Sequence, residues 1–81
     1  MKITELQRKI GEKIRMLRES KGISQQNLAA ICNFEKANLS RIESGRTNPT
    51  VSTLYKISQA LEVSLSEIVD VESASPKYPS N

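Results

Sequence analysis

The chain reads as an all-α domain, and three observations predict it. Apolar residues recur at helical spacings of three and four along most of its length. Residues that start and stop helices stand at the ends of those runs. There is no long stretch of alternating β-branched residues, and the 81 residues include only three glycines and three prolines.

The first helix is expected to open near Thr4, where Thr4-Glu5-Leu6-Gln7 fits a capping box. Leu6, Ile10, Ile14 and Leu17 form its apolar stripe, and Lys21-Gly22 ends it with a cation and then a glycine. Glu12, Lys13, Arg15, Glu19 and Lys21 fall mostly on the opposite face and read as a solvated surface. Arg18 is different, because it borders the stripe. An arginine tucked there needs a carboxylate, and Ile42-Glu43 places one beside another apolar residue.

Ser24 to Gly45 reads as two short helices joined by a tight turn. Ser24 is a good N-cap, and Leu28, Ala29, Ile31 and Cys32 fall on one face. Asn33 tolerates the left-handed conformation of a turn. Phe34 leads into the second helix of the pair, 35–44, whose small and apolar positions are Ala37, Leu39 and Ile42, and Gly45 closes it. Lys36, Asn38, Ser40 and Arg41 lie between them, on a face the core does not need. This is the pattern of a DNA-reading helix-turn-helix.

Asn48-Pro49 interrupts the helical pattern. Thr50 then caps a fourth helix with the stripe Val51, Leu54, Ile57 and Leu61. Ser64-Leu65-Ser66-Glu67 is a second capping box and opens a short fifth helix with Leu65, Ile68 and Val69. The expected division is a domain over residues 1–70 and a flexible tail over 71–81, whose Ser73 to Asn81 segment is polar and carries two prolines.

Composition narrows the function. One cysteine and no histidine leave no intramolecular disulfide, zinc site or Cys–His nucleophile. No metal, cofactor or small-molecule ligand is expected, and nothing favours an enzyme. The longest apolar run, Leu28 to Cys32, is too short for a membrane, and Met-Lys-Ile-Thr-Glu does not open a signal peptide, so the cytoplasm is the expected location. Residues 1–61 carry eleven Lys/Arg against five Asp/Glu, whereas residues 62–81 carry one lysine against four acids. A basic body with an acidic end suits a polyanion partner for the first part alone; the same charge also serves mere solubility.

Gly22-Ile23-Ser24-Gln25-Gln26-Asn27-Leu28-Ala29, then Leu39-Ser40-Arg41-Ile42-Glu43-Ser44-Gly45 and Asn48-Pro49-Thr50, resemble the phage repressor/Cro type of helix-turn-helix, the Xre family. The resemblance implies a five-helix lambda-repressor-like fold, homodimeric binding to a double-stranded operator, and transcriptional regulation. It also implies a structural ion pair between Arg18 and Glu43. Where the family's turn usually has glycine this chain has Asn33, and Glu35 stands where a Ser, Thr or Asp commonly starts the reading helix.

On this reading Lys36, Ala37, Ser40 and Arg41 meet base edges. Gln25, Asn38, Arg46, Thr47 and Asn48 meet the DNA backbone. Asn38 could also read adenine. Leu61, Val63, Leu65, Ile68 and Val69 are the candidate dimer surface, with the monomer core as their other possible place. A competing reading from another class is a protein-interaction module on the same fold, such as an antitoxin, gripped at the acidic end.

Overall fold

The computed structural model describes residues 1–72, so all but the first two residues of the tail expected over 71–81 lie outside the described residues. The described residues form five helices: α1 (Ile3–Ser20), α2 (Gln25–Cys32), α3 (Lys36–Glu43), α4 (Val51–Leu61) and α5 (Leu65–Val69). None of them is long and apolar enough to cross a membrane.

Each helix contributes a fully buried side chain to one core: Ile14, Leu28, Leu39, Ile57 with Leu61, and Ile68. Helix α1 packs on α3, α4 and α5, while α2 packs on α3 and α4. The pair α2–α3 is therefore held from behind by α1 and α4, and α3 keeps one side toward solvent.

Most helix ends follow the chemistry of their residues. The Oγ of Ser24 accepts from the Asn27 N–H at 3.1 Å, Thr50 Oγ1 accepts from Thr53 at 3.1 Å, and Ser64 Oγ accepts from Glu67 at 3.2 Å. Asn33 adopts φ 59°, ψ 41°. That conformation turns the chain so that Phe34 N–H reaches the Ala29 carbonyl at 2.8 Å. Three residues thus suffice to redirect the chain from α2 into α3. Glu35 occupies the cap of α3 and makes no side-chain cap bond, and Gly45 at φ 77° stops the helix. Glu62 ends α4 in the same left-handed conformation (φ 58°), although no Gly or Asn marks the position.

Four expectations need correction. Helix α1 starts at Ile3, with Lys2 in the cap position, and Thr4 lies inside the first turn. The exposed first turn can satisfy its amides with water, so a side-chain cap is not required there. Ile31 is 61% exposed and Val51 is 70% exposed, so neither belongs to the core. Ile31 sits one step round from the Leu28–Cys32 edge that α4 covers, and the buried row of α4 is Leu54, Ile57, Ser58 and Leu61. Finally, Leu61 and Ile68 are fully buried within the single chain and cannot form a dimer surface, because α5 folds back over α4 to close the core. Val63 and Leu65 pack partly against that core, which leaves Val69 exposed.

Candidate nucleic-acid interface

Successive residues of an α-helix are about 100° apart around its axis. On α3 this puts Leu39, Ile42 and Glu43 inward, all buried, with Asn38 half-buried at one margin. The remaining arc is exposed and consists of Lys36, Ala37, Ser40 and Arg41, continued by Ser44. Small side chains fill its middle, while Lys36 and Arg41 stand at its two edges. A low surface between two cations can approach a grooved polyanion closely.

The helix is anchored through Glu43. Arg18 Nε donates to Glu43 Oε2 at 2.7 Å and Nη2 donates to Oε1 at 3.0 Å, a bidentate pair between buried side chains. The third nitrogen, Nη1, donates to the Ile23 carbonyl at 2.8 Å, tying the α1–α2 turn to the same centre. The guanidinium is held above its ordinary pKa, chiefly by the hydrogen bond to Glu43; burial opposes this, and the Glu43 and Glu19 charges add to it. Among the described residues no buried side-chain nitrogen or oxygen lacks a partner.

Gln25 opens α2 and also joins this centre, its Nε2 donating to Glu43 Oε1 at 3.0 Å. One amide hydrogen is thereby committed to the protein. At the start of α2 the Asn27 N–H is taken by the Ser24 hydroxyl and the Leu28 N–H by the Ser24 carbonyl, while Gln25 and Gln26 line the surface beside them. A cleft of about 610 Å³ lies in front of them, and polar or charged residues alone line it. Arg46 and Asn48 are exposed on the α3–α4 loop, and Thr47 is half-buried. The expected base-facing and backbone-facing residues therefore occupy α3 and its two flanks. Sequence reasoning missed Arg15, Gln26 and Ser44, which also line the cleft. Arg15 reads in the sequence as part of the solvated face; its place one turn before Arg18 gains meaning only once Arg18 and Gly11 are seen to meet α3. Among the described residues no cluster of His, Cys, Asp or Glu is suited to a metal.

A family model described as helix-turn-helix matches residues 14–68. The chain belongs to the helix-turn-helix family. It is 39% identical over 72 residues to an uncharacterised HTH-type transcriptional regulator, y4dJ, of Sinorhizobium fredii, covering 89% of this chain and 94% of the relative. It is 47% identical over 64 residues to the HTH-type transcriptional regulator SlrR of Bacillus subtilis. That match covers 78% of this chain and 42% of SlrR, so the chain spans less than half of that relative. Among solved structures, it resembles SinR, a master regulator for biofilm formation, in complex with DNA. The TM-score is 0.70 at 39% identity, over 75% of this chain and 98% of that one. The regulator SinR is from Bacillus subtilis.

Proposed function

We propose that this chain, a DNA-binding transcriptional regulator of the helix-turn-helix family, binds a palindromic operator as a homodimer and represses by occupying it, with α3 in the major groove. The exposed arc of α3 carries the reading, because it leaves four residues of an otherwise core-packed helix facing solvent, the small Ala37 and Ser40 between the cations Lys36 and Arg41. Ala37 suits a thymine methyl, Ser40 permits close approach or bonds a base edge, and Arg41 suits guanine O6 and N7. Arg46, Thr47, Asn48 and Asn38 on one flank of the helix and Gln25 on the other suit contacts to the DNA backbone. The cytoplasm is where such a protein meets its DNA.

One α3 spans only a few base pairs, so selective binding calls for a second copy. Val69 is 42% exposed, and with the half-buried Val63 and Leu65 it supplies apolar surface at the α4–α5 end for that contact. Selection of bound duplexes from random DNA tests the whole reading. The expected result is an inverted repeat with half-sites about 34 Å apart. Recovery of no motif, with binding that vanishes steeply as salt rises, would reduce the activity to phosphate attraction. Sedimentation at micromolar concentration tests the dimer, and a persistent 9.0 kDa species would exclude it.

A further inference from the structure

The cleft beside Gln25 is lined by Arg15 of α1 and by Lys36 of α3. The third cation lining it, Arg18, is neutralised by Glu43. Two cations therefore face the opening without a buried counter-charge. Arg15 has a companion, Glu19, with Nε to Oε2 at 3.6 Å, but both side chains are exposed. Such a pair is weak and exchanges readily for a stronger anion. The rest of the lining is hydroxyl, amide and charged groups, including Ser24 and Ser40, with no apolar side chain. A small, strongly hydrated dianion or diester fits this chemistry, and an apolar ligand does not.

Position on α3 separates the two cations of the reading helix. Lys36 stands at the arc edge that borders the cleft, about 140° round the axis from Arg41. When the middle of the arc enters a groove, the Lys36 edge turns toward one wall of phosphates. We propose that Arg15 and Lys36 together clamp a single DNA backbone phosphate in this cleft, so that α1 belongs to the DNA interface and Lys36 positions the protein rather than reading a base. The inference rests on the DNA-binding reading above. It enlarges the interface beyond the two-helix motif and leaves base discrimination to Ala37, Ser40 and Arg41.

The test uses the full chain, the duplex it selects, and a scrambled duplex of equal length, with affinities followed across a salt series. Arg15→Gln and Lys36→Gln are both exposed changes, and circular dichroism melting is expected to be unchanged. Each is expected to weaken binding by the same factor on both duplexes, up to about tenfold near 0.1 M salt, the weight of roughly one released counterion. The double variant should flatten the salt slope by about one, the value for one shared phosphate; a change of about two would mean two separate contacts and overturn the clamp. An unaltered affinity for Arg15→Gln, or a changed ratio between duplexes for Lys36→Gln, would also overturn it. Failure of the wild-type chain to prefer any duplex shows in the wild-type arm alone and would remove the underlying reading.

Discussion

Gln25 donates to the buried carboxylate of Glu43 at 3.0 Å, on the same oxygen that receives Arg18 Nη2. A residue that lines the polar cleft and a residue in the core thus share one acceptor. The start of α2, the end of α3 and the last turn of α1 are fixed relative to one another by that carboxylate. The relative placement of Gln25 and α3 is therefore set before any ligand arrives, which lowers the ordering cost of binding.

Glu43→Ala is expected to destabilise the domain by about 3–5 kcal/mol, because it strands a buried guanidinium. For a domain of this size that lowers Tm by some tens of degrees. The cost comes from breaking the pair, not from the net worth of the pair itself. The raised pKa of Arg18 fixes the pH behaviour. Its contribution is fully present below the unfolded guanidinium value and is lost only as pH rises through the still higher folded one. The gap between wild type and Glu43→Ala, measured by thermal melts, should accordingly stay flat through the neutral and mildly alkaline range. A Tm close to wild type with weakened DNA binding would show that Glu43 is not structural.

Gly11→Ala should cost about 3 kcal/mol, at the upper end for overpacking. Helix α1 crosses α3 so closely that a Cβ at Gly11 would fall on the carbonyl oxygens of Ile42 and Glu43, both backbone atoms that cannot swing aside. Alanine normally favours a helix by about 1 kcal/mol over glycine, so a net loss isolates the steric effect. Denaturant unfolding gives the magnitude. Binding measured below the melting range should weaken as well, since the displaced backbone carries Glu43 and the end of α3.

Helix order, the α2–α3 turn and the exposed arc of α3 were legible in the sequence because local chemistry decides them. Ser24, Asn33, Thr50 and Ser64 act through bonds to their own neighbours. What escaped depends on packing between distant segments. Ile31 and Val51 satisfy helical spacing, yet no other helix covers them. For Leu61 and Ile68 the spacing leaves dimer surface and monomer core both open, because a stripe shows which side is apolar and not what lies against it. Gly11 and the Gln25–Glu43 bond exist only once α1, α2 and α3 meet, and neither pair of partners is near in sequence.

Cys32 should react slowly with a neutral thiol reagent in the folded protein and rapidly in denaturant. It is 6% exposed, and its Sγ donates weakly to the Lys56 carbonyl at 3.8 Å. Burial pushes its pKa up, against a smaller opposing pull from Lys56. A thiol with a raised folded pKa contributes stability that is intact below the unfolded value, about 8.5, and lost as pH rises through the folded one. Thermal melts should therefore fall more steeply above about pH 8.5 for wild type than for Cys32→Ala. Parallel pH profiles for the two proteins, or fast native labelling, would show that the thiol is not buried in solution.

Arg41→Ala is expected to cost about 1–3 kcal/mol on the selected duplex and to relax preference at one base pair. The side chain is exposed at the arc edge away from the cleft, and helical geometry keeps it apart from Lys36. Arg46→Ala provides the contrast. On the proposed reading Arg46 meets the DNA backbone from the loop, so its loss should weaken selected and scrambled DNA alike and flatten the salt slope by about one. Titrating both variants against duplexes carrying each single base-pair change separates the roles. A base-pair-specific signature for Arg41 together with a uniform loss for Arg46 would assign readout to α3 and positioning to the loop. A uniform loss from both would place Arg41 on phosphate, and discrimination would then rest on Ala37 and Ser40 and on the shape of the DNA.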